Sequence, residues 1–282
     1  MPELPDLEIL SEVLERRGAG RVIASARALR PGILKTVEPS LDALVGEAFT
    51  EIVRRGKQLV FTLRPDLHLV VHLMVAGRFV LCRSDTRPTK ATGFLITFTD
   101  GEDLRLIENG PKKLAAIHVV GDPLQVKGIA QAGLEPLSSE FTVEALTRMA
   151  EGRRRQAKKL LTDQRMVGGI GTAYADEILF EARISPIRYV STLSEEEVKR
   201  LHGAIQRVLQ HATEAIRDRA GDRLFTDEIR DFLRVYKHTG EPCPICGTRI
   251  AEIRYSQTRT YYCPTCQASG GTLPDRRSWL TR

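Results

Sequence analysis

The chain has no run of about 18 or more apolar residues, the length a membrane-crossing helix needs. Its first thirty residues carry Glu3, Asp6, Glu8, Glu12 and Glu15, where an export leader needs a basic start and an apolar core. A membrane span and a secretory signal are both excluded on this reading, and a cytoplasmic chain is expected. Cysteine is scarce, five residues in 282, too few and too unevenly placed for a secreted disulfide framework. Cys82 stands alone, with the core as its expected place, and the other four cluster after residue 240. Internal repeats and low-complexity tracts are lacking as well, which leaves out solenoids and disordered linkers.

What is present is enough apolar material for a sizeable core: 42% of the residues are hydrophobic, and the length favours two domains over one. The formal charge of +6 is informative once it is divided. Residues 1–150 hold 19 Lys+Arg against 19 Asp+Glu, and the remainder holds 23 against 17, so the whole excess lies in the C-terminal half. A positive field confined to one region favours a polyanionic partner, because each phosphate it neutralises releases condensed counterions.

Along the chain, Pro5 suits the first turn of a helix with Leu7, Leu10 and Leu14 on one face and Gly18 at its end, and Asp6 and Glu8 suit the positive end of its dipole. From about residue 20 to 120 the pattern shifts to short β-rich runs at 21–29, 48–54, 58–63, 67–73, 79–82, 93–98, 104–107 and 115–120, which predict an antiparallel sandwich or barrel. The segment Gly133 to Ser138 breaks that pattern. Beyond it the period is helical, with helices expected at 142–150, 153–162, 172–182, 194–218 and 226–233. The expected division is 1–132, 133–236 and a cysteine-bearing tail at 237–282.

Two motifs carry chemistry by their spacing. Cys243-Pro-Ile-Cys246 is followed, after sixteen intervening residues, by Cys263-Pro-Thr-Cys266, and two such pairs on a hairpin can set four thiolates around one structural Zn²⁺. A redox or unligated thiol pair is the competing reading. Arg249, Arg254, Arg259, Tyr255, Tyr261 and Tyr262 between the pairs make either a basic, aromatic probe of a groove or a solvated turn. In the second motif, Gly168, Gly169 and Gly171 lead directly into a helix, an arrangement that aims backbone N–H groups at a phosphate; packing between helices accounts for it equally well. Arg153, Arg154, Arg155, Lys158 and Lys159 just before it form a basic face.

Pro2-Glu3-Leu4-Pro5, Lys57, Glu135-Pro136-Leu137-Ser138, the glycine turn before Tyr174 to Phe180, and the two cysteine pairs together resemble the formamidopyrimidine-DNA glycosylase and endonuclease VIII family. The matches span nearly the whole chain. The resemblance implies an α+β fold: an N-terminal antiparallel β-sandwich with flanking helices, a helical domain with a helix-two-turn-helix, and a zinc-finger β-hairpin. It also implies a monomer acting on damaged DNA in base excision repair, nucleoid-associated in a bacterium. The implied catalytic residues are Pro2 as amine nucleophile after loss of Met1, Glu3 as general acid/base and Lys57. His72, Lys112, Arg153, Gly171, Thr172 and Arg259 are the implied DNA contacts, and Cys243, Cys246, Cys263 and Cys266 the implied zinc ligands.

The chain also departs from the family. Thr172 replaces an asparagine, a longer donor. Thr258 replaces an arginine, with Arg259 one place later, a shift expected to turn that side chain to the other face of the hairpin. Val75 stands where a wedge methionine is typical, beside Met74, and Lys112, Lys113 and Leu114 replace two arginines and a phenylalanine. Weaker wedges favour bases that are already unpaired or missing, so 8-oxoguanine opposite cytosine is not the expected preference. Two other readings compete: a non-catalytic damaged-DNA binder, and a zinc-ribbon protein that meets other proteins. Neither explains the Pro2–Glu3 start.

Overall fold

A computed structural model describes residues 1–152, 154–255, 258–271 and 273. The chain forms two compact units, one of Met1–Gln131 with Ala215–Ile229, the other of Ala132–Glu214 with Arg230–Arg282. No helix among the described residues is long and apolar enough to cross a membrane.

The first unit opens with α1 (Leu4–Gly18), whose first turn holds Pro5 and Asp6 and whose last turn holds Arg16 and Arg17, in accord with the helix dipole. Eight strands follow: β1 (Ile23–Ala28), β2 (Glu51–Arg55), β3 (Gln58–Arg64), β4 (Leu67–His72), β5 (Gly77–Arg83), β6 (Thr92–Phe98), β7 (Glu102–Glu108) and β8 (Ala116–Val120). They form two antiparallel four-stranded sheets, ordered β1-β6-β7-β5 and β2-β3-β4-β8. The two-residue alternation of strands decides which side chains meet. Leu59, Phe61 and Leu63 of β3 join Phe79, Phe94 and Leu106 of the other sheet, and Leu7, Leu10 and Leu14 of α1, in one core. Val60, on the opposite face of β3, packs with Val70, Val120 and Val126, the last beside the short α2 (Lys127–Ala130). The expected sandwich is therefore present. Cys82, expected in the core, lies half-buried on β5 instead, and burial pushes its thiol pKa up.

The second unit contains α3 (Val143–Ala150), α4 (Ala157–Thr162), α5 (Thr172–Glu181) and the first part of α6 (Glu195–Ala220), and then the hairpin of β9 (Ala251–Tyr255) and β10 (Thr258–Tyr262) closed by α7 (Pro264–Ala268). Two helix expectations need correction. Helix α4 starts at Ala157 rather than 153, where the N–H groups of Ala157 and Lys158 are taken by the carbonyls of Arg188 (2.8 Å) and Pro186 (3.2 Å). Residues 226–233 form no helix despite their apolar spacing. Just beyond, the backbone N–H groups of Arg234, Val235 and Tyr236 all donate to the buried carboxylate of Glu177, at 2.8–3.0 Å, a charge-assisted arrangement that fixes a series of bends and turns leading to the hairpin.

Glu177→Gln puts an amide NH₂ among three N–H donors and removes the charge they converge on. The expected result is a loss of about 1–3 kcal/mol of stability, read by denaturant unfolding, with faster amide exchange at 234–236 than elsewhere in the unit.

Candidate functional site

In the first unit, Pro2 and Glu3 are buried at the head of α1. The Glu3 N–H donates to Asp6 Oδ2 (2.8 Å) and the Glu3 carbonyl accepts from Leu7 N–H (3.0 Å), so the first residues are fixed by the helix they begin. One turn on, Glu8 pairs with Arg54 of β2 (2.7 Å), and the same guanidinium donates to the Gly56 carbonyl (3.1 Å). Helix α1 is thus fastened to the tight β2–β3 turn that presents Lys57.

His72 ends β4. Its Nδ1 accepts the Met74 N–H at 2.9 Å, an arrangement that requires a neutral ring carrying its proton on Nε2. Burial, then the positive charge of Lys57, then His118 push its pKa down to about 4. Lys57 and His72 are therefore electrostatic neighbours, a neutral donor beside a cation.

Between β4 and β5, Met74 adopts a left-handed backbone (φ 54°) and Val75 is 57% exposed. Gly77 closes this loop so tightly that a Cβ there would lie 2.4 Å from the Leu73 carbonyl oxygen. The loop 109–115 is anchored at its base by Glu108, buried at the end of β7. Its Oε1 accepts from Leu114 N–H (2.7 Å) and Ala115 N–H (2.9 Å), and it pairs with Arg30, which also donates to the Lys113 carbonyl (2.9 Å). Lys112 and Leu114 remain exposed above this anchor.

In the second unit the turn between α4 and α5 is braced by Gln164. Its amide accepts from Gly169 N–H (2.9 Å) and donates to the Ile170 carbonyl (2.6 Å), and Gly169 has φ 82°, a conformation suited to glycine. Gly171 caps α5 and Thr172 is its first residue. A recess of about 320 Å³ is lined by Thr172, Tyr236, Lys237, Thr258, Arg259 and Tyr261. The one-residue shift of the arginine does not remove it from this recess: Thr258 and Arg259 both reach it. Tyr236 packs against Tyr261 (ring centroids 5.3 Å), and Lys237, held at φ 68°, lies 5.5 Å from the Tyr236 ring.

Several residues of the expected basic surface are engaged elsewhere. Lys158 is buried, its Nζ 2.7 Å from Asp176 Oδ1 and donating to Thr260 Oγ1 and to the Arg259 carbonyl, both at 2.9 Å. Asp176 Oδ2 accepts from Tyr261 N–H (3.1 Å). Burial raises the Asp176 carboxyl, and Lys158 opposes the rise. Arg155 pairs with Asp163, Arg254 with Glu252 (2.6 Å), and Arg249 donates to the Gly240 carbonyl (2.8 Å). Arg153 lies outside the described residues. Tyr236 and Lys237 escaped the sequence reading because they belong to no spaced motif and lie between the expected helix at 226–233 and the cysteine pairs.

The four ligand sulfurs of Cys243, Cys246, Cys263 and Cys266 lie within 4.8 Å of one another. Cys243 Sγ is 3.9 Å from Cys266 Sγ, and Cys246 Sγ is 3.4 Å from Cys263 Sγ. Tetrahedral Zn–S bonds of about 2.3 Å place sulfurs roughly 3.8 Å apart, so the donor set fits one structural Zn²⁺. The knuckle N–H groups of Ile245 and Cys266 point at Cys243 Sγ and Cys263 Sγ (3.4 Å each), which suits thiolate acceptors.

The environment of His72 makes a pH prediction. The unfolded chain protonates this ring near its ordinary pKa of 6.5 and the folded chain only near 4. The His72 contribution to stability is therefore complete above 6.5 and lost as pH falls from 6.5 to 4. NMR titration of the ring should show no protonation at pH 5.5; a midpoint near 6.5 would contradict the buried, Met74-bonded geometry.

Comparison with known proteins agrees with these features along the chain. Residues 1–117 match the formamidopyrimidine-DNA glycosylase N-terminal domain, residues 132–222 its H2TH domain, and residues 240–268 the zinc finger found in FPG and IleRS. The chain is 37% identical to the formamidopyrimidine-DNA glycosylase of Symbiobacterium thermophilum over 99% of its own length and 93% of that protein's. It is 34% identical to that of Pelotomaculum thermopropionicum, over 95% and 99%. Among solved structures it is similar to Lactococcus lactis Fpg in complex with abasic-site DNA, with TM-score 0.85, 28% identity, and 94% and 99% of the two chains covered. It is also similar to MutM of Thermus thermophilus, with TM-score 0.82, 30% identity, and 96% and 100% covered. From its buried Pro2–Glu3 start to its four-cysteine hairpin, the chain belongs to the formamidopyrimidine-DNA glycosylase family.

Proposed function

We propose that the protein is a DNA glycosylase of base excision repair that is also an abasic-site lyase, with the amine of Pro2, freed by removal of Met1, as its nucleophile. The observation that carries this reading is the Pro2–Glu3 pair held at the head of α1, the helix fastened through Glu8 and Arg54 to the turn bearing Lys57. The working division assigns chemistry to 1–132 and backbone binding to 133–236 and to the zinc hairpin, 237–282.

In the proposed reaction the lone pair of the neutral Pro2 nitrogen forms a bond to C1′ of the damaged nucleotide. The C1′–base bond breaks, and its electron pair leaves with the base, which takes up a proton. Glu3 then donates a proton to O4′ as the C1′–O4′ bond opens, and the nitrogen loses its own proton, leaving an iminium. Loss of a C2′ proton to a base expels the 3′ phosphate by β-elimination, and water releases the sugar remnant and restores the amine. Lys57 holds the phosphate and assists elimination, and neutral His72 donates from Nε2 to a neighbouring phosphate. Once bound, Zn²⁺ orders the hairpin that presents Arg259 and takes no part in bond changes.

Backbone grip is assigned to Thr172, Gly171 and Arg259, with Lys237 as an added cation of the same recess and Lys112 on the other unit. With aliphatic Val75 and Leu114 as wedges, the favoured substrates are abasic sites, oxidised pyrimidines and ring-opened purines.

Borohydride treatment of the Met1-processed protein on labelled abasic DNA should give a covalent band that is lost in Pro2→Gly and in an N-terminally blocked form, both still binding DNA. Intact, zinc-loaded protein that binds DNA and gives no band would replace the enzyme reading by a non-catalytic damaged-DNA binder. Arg259→Ala should weaken binding across sequences and lower the log–log salt slope by about 1, with little change in lesion preference. An unchanged slope would remove Arg259 from the backbone contacts.

A further inference from the structure

An acidic side chain that the proposed mechanism does not use lies at the first nitrogen of the chain. Glu228 Oε1 is 3.2 Å from the Met1 ammonium nitrogen, and the same oxygen accepts from Arg78 Nη2 at 2.5 Å. Arg78, on β5, is itself fixed: its Nε donates to the Thr226 carbonyl (2.6 Å) and its Nη1 to the Gly77 carbonyl (2.7 Å). One guanidinium therefore holds both backbone and side chain of the 226–228 segment and aims the Glu228 carboxylate at the N-terminus. This segment belongs to the first unit although it lies more than 100 residues beyond the unit's last strand, so its attachment is a specific tertiary contact rather than a chain neighbour's.

Removal of Met1 shifts the free amine by one N–Cα–C–N path, at most about 3.7 Å. The amine of Pro2 then arises within about 7 Å of the Glu228 carboxylate, with Met1 gone from between them. We propose that Glu228, oriented by Arg78, is a positioning residue for the N-terminal amine: it holds the Pro2 ammonium at rest and stabilises the positive charge carried by that nitrogen in the iminium. The second role rests on the lyase reading above; the first does not. No covalent bond is made or broken by Glu228. Other charged groups on these elements include Glu3 at the cap of α1, Asp6 and Glu8 of α1, Asp227 of the same segment, and Arg78 itself. Asp6 is already engaged by the Glu3 N–H, and Arg78 tempers Glu228, which keeps the amine from being locked in its protonated form.

The test uses Met1-processed full-length protein and reads the amine directly. Reductive methylation by formaldehyde and cyanoborohydride, followed across pH by mass spectrometry of the N-terminal peptide, gives the protonation midpoint of the Pro2 amine without any DNA. Replacing the carboxylate in Glu228→Gln should lower that midpoint by about half to one pH unit, and Arg78→Met, which removes the guanidinium charge from Glu228, should raise it. On abasic DNA the acid limb of the trapping profile should move in the same directions. Equal midpoints in wild type and both variants, each with a native thermal transition, would overturn the pairing. If wild-type protein labels normally but never traps DNA, the lyase reading falls while the midpoints still decide the role of Glu228. Should Glu228→Gln fail to fold, Arg78→Met and Glu228→Asp, the latter expected to keep the wild-type midpoint within about 0.3 unit, decide it alone.

Discussion

Two consecutive acids on one helix, Asp176 and Glu177, hold the second unit together. Both are buried, and each is the acceptor for a different piece of chain: Asp176 for Lys158 and the Tyr261 N–H, Glu177 for the N–H groups of residues 234–236. A carboxylate taken out of water is tolerated only when its oxygens are well satisfied, and removing one partner leaves an uncompensated charge that costs about 3–5 kcal/mol. The requirement works in both directions: the acids need those donors, and the N–H groups of residues 234–236 lie outside any helix or strand that could take them. Helix α5 therefore fixes the entry to the hairpin and its second strand at once, and Thr172 at the start of the same helix is placed relative to Arg259 near the start of that strand. The four cysteines lie at this same end of the hairpin, where Cys243 and Cys263 share a core cluster with Val235 and Tyr261.

The first unit solves a similar problem with Glu108. The loop 109–115 must leave Lys112 and Leu114 in solvent while leaving no orphaned backbone donor beneath them. Glu108 takes two of the N–H groups, and Arg30 neutralises it and satisfies the Lys113 carbonyl. The facing loop uses geometry rather than charge: Gly77 lies against the Leu73 carbonyl, and Met74 turns left-handed so that Val75 stands out. Both exposed tips thus sit on rigid bases, which is the arrangement a groove-inserting element needs.

Much of this was legible in the sequence because one physical rule dominated locally. In β3, the alternation of Leu59, Phe61 and Leu63 with Val60 and Thr62 is enforced by a two-sided sheet, so the strand and its buried face could both be read. The cysteine pairs were legible because metal geometry fixes their spacing. The 226–233 segment reads as helix because Ile229, Phe232 and Leu233 have helical spacing, while remote side chains hold the chain at its two ends: Arg78 takes the Thr226 carbonyl, and Glu177 takes the N–H groups just beyond, from 234 on. Lys158 shows the same limit from the other side. Beside Lys159 and Arg155 it reads as solvated charge, and only its remote partner Asp176 makes it a buried strut. The one-residue shift of Arg259 predicts its loss to the opposite face; near the start of β10, its long side chain still reaches the recess. Local pattern settles what neighbours impose, and polar groups buried by distant partners lie beyond it.

On the proposed reading, these features set how affinity and selectivity are divided. The recess of Thr172, Lys237 and Arg259 offers charge and hydroxyl donors suited to phosphates, which carry no sequence information. Val75 and Leu114 offer only aliphatic contact, 57% and 47% exposed, with no planar group to read an opposite base. Extruding an intact, paired nucleotide costs a few kcal/mol, and an aliphatic wedge recovers little of that by stacking. Discrimination must then come from the lesion itself, since a missing or poorly stacked base makes extrusion cheap. A strong backbone grip with a weak wedge therefore selects weakened duplex rather than any one base pair, and places the decision for or against reaction at the amine, where Lys57, Glu3 and the Arg78-held Glu228 control what happens once a sugar is within reach.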